Sequence, residues 1–280
     1  MKTIIDRSNK RGHSLYEWLD SYHSFSFGNY YNPDKMGFGA LRVLNDDIIA
    51  PETGFDTHPH KNMEIVTIPL KGELKHGDSK MNERIITPGD IQVMSAGTGI
   101  YHSESNPHGS VNAEILQIWI LPHTRNTEPN YNDYNIRELL KPNELTTLVA
   151  PDGSAPGTLL QQAWFSMGTF DAGQDFSYSL HNKQNGIYVF VIEGEAQIEN
   201  TTLNRRDAMG IYDVDQVKIA SMFEAGKASN ACKHITVLDP VGAGATDLRT
   251  NTCKELLEQI HFDAIKGNIS EIKTLMAGTG

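Results

Sequence analysis

Short runs of β-branched and aromatic residues, each closed by glycine, proline or an Asx residue, recur through the first 120 positions. GFGALRVLNDDIIAP, MEIVTIPLKGELKHGD, ERIITPGDIQVMSAG and VNAEILQIWILP are of this kind, and each reads as strand and turn. The turn signals fall roughly 10 residues apart, a spacing that suits a β-sandwich or barrel. Helical character in this half is confined to LYEWLDSY, so a short helix is expected over residues 15–22.

The pattern then changes. Residues 122–135 are rich in Pro, Asn, Thr and Tyr without periodicity and predict a linker, and IRELLKPNEL predicts a short helix or turn. A second strand series follows: LLQQAWFSMGTF, DFSYSL, GIYVFVIEGEAQIENTTL, AMGIYDVDQVKIAS and ACKHITVLDP. Two all-β series of similar length suggest a duplicated barrel, and PLKGELKHGD and VIEGEAQIEN share a strand, glycine turn, strand layout. From about residue 242 the glycine-rich VGAGATD leads into helical spacing, with Leu256, Leu257 and Ile260 on one face. Ile269, Ile272, Leu275 and Met276 form a second face beyond Gly267. The expected domains are 1–130, 131–241 and a helical tail, 242–280.

Composition narrows the class. With 24 Lys and Arg against 35 Asp and Glu, the formal net charge is −11; such a surface repels phosphate backbones, so no nucleic-acid partner is expected. Cys232 and Cys253 alone make neither a disulfide framework nor a thiolate zinc site. No apolar run approaches the roughly 20 residues of a membrane span, and the charged start MKTIIDRSNKRGHS does not read as a signal peptide. A cytoplasmic protein without a membrane partner is expected.

The chemistry concentrates in two short stretches. In FDTHPHKNMEIV, His58 and His60 stand at i, i+2, which on a strand puts both imidazoles on one face; Pro59 stiffens the spacing. In SAGTGIYHSESNP, His102 and Glu104 repeat that spacing behind a glycine-rich turn. Buried imidazoles need partners, and three nitrogens with one carboxylate suit a divalent first-row metal such as iron, nickel, manganese, copper or zinc. His76, His108, His123, His234 and His261 lack a paired partner and read as structural or exposed. Glu64, four residues after His60, reads equally as a ligand or as an outer carboxylate.

The segments SYHSFSFGNYYNPDKMGFGALRVLNDD, FDTHPHKNMEIVTIPLKGELKHGDS and ITPGDIQVMSAGTGIYHSESNP resemble the pirin family, particularly its bacterial quercetinase-type members. The resemblance runs through residues 7–125 and implies an all-β bicupin: two face-to-face cupin barrels with a metal in the first only. It places the metal ligands on His58, His60, His102 and Glu104. Relative to the general cupin pattern, Glu52 replaces a glycine, with Gly54 nearby, and Glu64 is not a ligand. The second series holds no His-x-His; His181 is its one candidate remnant. The implied activity is dioxygenation of a flavonol such as quercetin, with O2 as co-substrate and Glu104 as ligand and general base. Phe25, Phe27, Met63, Met94 and Trp119 are candidate walls of the substrate pocket. The alternative is a metal-redox-sensing module that regulates a protein partner. FDAIKGNISEIKTLMAG also resembles the helical part of an ankyrin repeat: either the chain is a fragment of a longer repeat protein and the tail a protein-docking element, or the tail is a C-terminal helical pair docked on the barrels, the reading favoured for function.

Overall fold

The computed structural model describes residues 1–221, together with Val237–Leu238, Lys254 and Ala264–Ile265. In chain order, the first strands are β1 (Lys2–Asp6), β2 (Gly12–Leu15), β3 (Leu19–His23), β4 (Leu41–Ile49), β5 (Gly54–His60) and β6 (Glu64–Lys71). They continue as β7 (Leu74–Asp78), β8 (Glu83–Ile86), β9 (Asp90–Ser95), β10 (Ile100–Ser105), β11 (Ala113–Ile120) and β12 (Asn130–Asn135). A seven-stranded sheet in the order β12-β9-β6-β11-β4-β3-β2 and a four-stranded sheet β5-β10-β7-β8 build the first barrel.

Both faces of the large sheet are covered, so β6 is buried from Glu64 to Pro69 without alternation. On one face Ile65 packs with Met94, Ala96 and Ile100. On the other, Val66, Ile68, Leu116, Ile118 and Ile120 join a cluster that continues through Phe38 to Tyr188 and Phe190 of the second barrel.

The second barrel follows as β13 (Thr146–Val149), β14 (Phe165–Met167), β15 (Asp175–Ser179), β16 (Ile187–Phe190), β17 (Ala196–Ile198), β18 (Thr201–Leu203), β19 (Ala208–Tyr212) and β20 (Gln216–Ser221). Its sheets run β15-β20-β17-β18 and β1-β19-β16. Its core is Ile187, Val191, Ile198, Leu203, Met209, Ile211, Val217 and Ile219. Residues 1–171 and 175–219 form one compact unit that holds both barrels; residues 172–174 and 220–280 form another. In the latter, β21 (Val237–Leu238) pairs in parallel with β22 (Ala264–Ile265), whereas the barrel strands pair antiparallel.

Three expectations change. Residues 15–22 form a hairpin rather than a helix: Tyr16 and Leu19 exchange backbone hydrogen bonds across the turn, and Leu19, Ser21 and His23 alternate inward on β3. Residues 130–135 of the expected linker are strand β12, which pairs with β9 from Asn130↔Ser95 to Asn135↔Asp90. The N-terminal strand does not belong to the first barrel, since β1 pairs with β19 from Lys2↔Tyr212 to Asp6↔Ala208. The expected tail helices lie outside the described residues. Among the described residues, no helix is long and apolar enough to cross a membrane.

Candidate metal centre

β5 and β10 pair antiparallel with His58 opposite His102 and His60 opposite Ile100. Strand parity turns His58 and His60 to one face, and a register shift between His102 and Glu104 keeps β10 aimed at the same interior. His102 and Glu104 are buried with Ile100 on the inner side of β10. The approach of β5 requires Gly54: a Cβ there would lie 2.2 Å from the Glu104 carbonyl oxygen and 2.4 Å from Ser105 Cα. Gly97, at φ +48, plays the same part in the SAGTG turn, where a Cβ would meet the Thr127 carbonyl oxygen at 2.1 Å.

The three imidazoles form a nearly equilateral triangle, with ring centroids 4.8 Å apart for His58–His60, 4.5 Å for His58–His102 and 4.7 Å for His60–His102. One nitrogen from each lies within 4.8 Å of the others. His58 Nδ1 donates to the Asp56 carbonyl at 2.7 Å, which leaves its Nε2 bare, 2.9 Å from His102 Nε2. Burial, reinforced by the neighbouring imidazoles, pushes the His60 pKa down to about 4 and that of His102 to about 2. Both are therefore neutral and able to offer lone pairs. His60 Nε2 and Glu104 Oε1 are buried without a hydrogen-bond partner. The converging nitrogens of His58, His60 and His102 fit a divalent cation, whereas Glu104 groups with His102 and His76, its Oε1 left as a buried acceptor without a hydrogen-bond partner.

Glu104 meets the side chains of Gln117 and Gln92. Gln117 donates its Nε2 to Glu104 Oε2 at 2.5 Å, and Gln117 Oε1 accepts Trp119 Nε1 at 3.2 Å. Burial raises the Glu104 pKa, against the pull of the nearby histidines and Gln117. His76, His102 and Glu104 make a second group within 4.8 Å, entirely buried. His76, read from the sequence as a structural or exposed histidine without a paired partner, is buried on β7 opposite Glu104, with Asp78 opposite His102. The sequence did carry a signal for it, because HGD repeats the i, i+2 spacing of HPH and HSE.

The expected wall residues separate. Trp119 stands edge-on to His60 at 4.8 Å, and Phe27 packs edge-on to Trp119 at 5.4 Å. Met63 and Met94 pack beside Trp119 in the core. Phe25 lies away from the site, in the cluster between the barrels, 5.7 Å from Tyr188. A cavity of about 290 Å³ is walled by Phe27, Phe55 and Gln117 with a polar side of Ser21, His23 and Asp47; apart from Phe27, none of these was singled out from the sequence. Phe55 stands 6.4 Å from His58, so the cavity's walls touch both His58 and Glu104.

Glu64 shares the face of Val66 and accepts Ser95 Oγ at 2.7 Å and the Leu160 N–H at 2.9 Å, because the turn at Asn62 (φ 52) breaks strand parity after His60. His108 Nδ1 accepts the N–H groups of Ser110 and Val111, a structural cap, and His123 sits against Thr124. His181 stacks on Trp164 at 4.8 Å, and among the described residues the second barrel holds no metal-type cluster. His234 and His261 lie outside the described residues.

Comparison with known proteins agrees with this architecture. The Pirin family model matches residues 5–120, and the model of the quercetinase C-terminal cupin domain matches residues 147–226. The chain is 37% identical over 217 residues to quercetin 2,3-dioxygenase of Escherichia coli K12, covering 77% of this chain and 92% of that one. It is 36% identical to a pirin-like protein of Caulobacter vibrioides, covering 79% and 97%. The crystal structure of the bacterial pirin YhhW in complex with nickel(II), from Escherichia coli, superposes with a TM-score of 0.74 at 33% identity, covering 79% of this chain and 94% of that one. Residues 207–280 match a model of the hydroxyethylthiazole kinase family, so the match found for the tail is not the expected ankyrin repeat. With two cupin barrels in sequence, and relatives matched over nearly their whole length, the chain belongs to the pirin family.

Proposed function

We propose that the protein is a metal-dependent dioxygenase of the quercetinase type, opening the heterocyclic ring of a flavonol such as quercetin with O2 and releasing carbon monoxide. The metal ligands in this reading are His58, His60, His102 and Glu104, with iron or nickel as the ion. The observation that carries it is the pair of buried, partnerless atoms, His60 Nε2 and Glu104 Oε1, beside a cavity walled by Phe55 and Gln117. Relatives named quercetin 2,3-dioxygenase at 33–39% identity point the same way.

The bound ion would supply Lewis acidity that eases deprotonation of the flavonol 3-hydroxyl. Glu104 Oε1, when loosened from the ion, would be the acceptor for that proton; Gln117 fixes Oε2 and so leaves Oε1 for the exchange. Phe27, Phe55 and Trp119 offer flat apolar surfaces to an aromatic ring. In the overall reaction both C–C bonds to the carbon bearing the 3-hydroxyl break. The two atoms of O2 enter the ring-opened acid, and that carbon leaves as carbon monoxide.

Iron- or nickel-loaded protein given quercetin is expected to consume O2 and release carbon monoxide in equal amounts. If His58→Ala and Glu104→Ala consume O2 as fast as wild type, the reading fails. Metal-dependent capture of a protein partner without O2 uptake would favour the regulatory alternative.

A further inference from the structure

Behind the imidazole triangle lies a second set of buried groups that the proposed reaction does not use. His76 and Asp78 both have side chains with 0% exposure. His76 Nδ1 lies 3.5 Å from His102 Nδ1, and His76 Nε2 lies 3.2 Å from Asp78 Oδ2. Asp78 has no freedom to turn away: its Oδ1 accepts the N–H groups of Lys80 at 2.8 Å and Asn82 at 3.1 Å, and its Oδ2 accepts Asn82 Nδ2 at 2.8 Å. Tyr131, brought in by β12, stacks on the His76 ring at 4.3 Å and 20° and holds its plane.

We propose that His76 and Asp78 are positioning residues that hold His102 in the one tautomer able to bind a cation. The proposal rests on the metal reading above. Asp78, surrounded by donors, is an acceptor towards His76, so a singly protonated His76 carries its proton on Nε2. His76 Nδ1 is then bare and accepts the proton of His102 Nδ1, which leaves His102 Nε2 bare. The Asp56 carbonyl does the same for His58 through Nδ1, so two lone pairs meet 2.9 Å apart where a cation would join them. The opposite arrangement, a proton on His102 Nε2, would oblige His76 to present a bare Nε2 to the Asp78 carboxylate. His76 is a supporter rather than a fifth ligand, because the His102 nitrogen that faces it is not the one that faces His58. Metal-ligating histidines are commonly held this way, and loss of the outer partner typically weakens metal binding 10–100-fold.

The test is nickel(II) affinity, measured by chelator competition on the full chain, with circular dichroism as a check on folding. His76→Phe keeps the ring against Tyr131 but removes both nitrogens, and is expected to weaken nickel binding by roughly 10–100-fold. Asp78→Asn is expected to do the same. His76→Gln can accept from His102 through Oε1 and donate to Asp78 through Nε2, and is expected to restore affinity to within about threefold, roughly 0.7 kcal/mol. In metal-free protein, the ¹⁵N shifts of His102 should report a proton on Nδ1 in wild type and loss of that preference in His76→Phe. Equal affinity in wild type and His76→Phe overturns the proposal, as does failure of His76→Gln to rescue. Loss of one imidazole from the nickel X-ray absorption spectrum in His76→Phe would also overturn it, by making His76 a ligand. Failure of wild type to bind nickel, iron or cobalt at all would instead defeat the metal reading beneath it.

Discussion

Gln117 donates to a buried carboxylate and accepts from an indole, and it belongs to neither sequence motif. Replacing it with leucine leaves Glu104 Oε2 without its donor in a dry interior. Gln117→Leu is therefore expected to lower the stability of metal-free protein by about 1–3 kcal/mol and to weaken nickel binding about tenfold, read by urea denaturation and chelator competition. Asp47 gives a second prediction at this scale. Burial, with the Asp46 and Glu104 carboxylates adding to it and Ser21 Oγ opposing, pushes its pKa up to about 7 from an ordinary value of 3.8. The folded state thus holds a proton between pH 3.8 and about 7 that the unfolded chain has released, so this residue's contribution is complete below 3.8 and fades as pH rises through 7. The slope approaches about 1.4 kcal/mol per pH unit inside that window. Asp47→Asn removes it, so the stability of the variant minus that of wild type should grow from pH 5 to pH 8. A constant difference in urea midpoints would defeat the assignment. His58, His60, His102 and Glu104 were legible because strand parity alone makes i, i+2 pairs neighbours. Gln117 and Asp47 were not, since their meaning comes from which strand lies opposite, and register across strands is written in no local pattern; His76 did carry the i, i+2 signal, in HGD.

β5 and β10 show how an element, rather than a side chain, sets the geometry. The two strands approach so closely at Gly54 that any Cβ would press on the Glu104 carbonyl and Ser105, and the bulge between His102 and Glu104 absorbs the remaining mismatch. Gly54→Ala is expected to push β10 outward, costing about 1–3 kcal/mol and weakening metal binding with it. Gly109→Ala, where a Cβ meets nothing within 4 Å, should change neither in the same thermal-melt and chelator assays. Elements rich in Val, Ile and Leu were recognisable in the sequence, β4, β6, β9 and β11 above all. The failures have a common cause. β12 (NYNDYN) is an edge strand whose Asn and Asp residues face water, so it lacks the apolar alternation that marks a strand. LYEWLDSY has apolar residues at helical offsets, but its centre is the turn between β2 and β3, and tertiary pairing with β4 outweighs the local preference.

At the scale of the whole molecule, the barrels are joined by more than the apolar cluster around Phe38. Asp46, on β4, meets Arg206 Nε of the second barrel at 2.9 Å and Arg11 Nη1 at 3.5 Å. Arg11 also reaches the Tyr22 carbonyl, while Arg206 reaches that of Ile192. The N-terminal segment crosses in the other direction: β1 lies in the second barrel's sheet, and Arg7 bonds Asp207 at 2.7 Å. A duplicated barrel could be read from two strand series, but this exchange could not, because a five-residue strand carries no mark of the partner 200 positions away with which it pairs. The exchange is expected to make the barrels unfold as one cooperative unit, and Asp46 is where that can be tested. Asp46→Ala would remove the carboxylate shared by two guanidinium groups whose side chains are 2% and 7% exposed, leaving Arg206 only Glu193 at 3.8 Å and each group its backbone carbonyls; breaking a buried pair by removing one partner costs about 3–5 kcal/mol. Removing the exposed Lys2–Asp213 pair, with side chains 81% and 63% exposed, should cost less than about 1 kcal/mol. Urea unfolding followed by both tryptophan fluorescence and circular dichroism should give one coincident transition for Asp46→Ala, displaced to lower urea. Two separated transitions, or a shift no larger than that of Asp213→Ala, would show that the barrels fold independently and that the Asp46 pairings do not couple them.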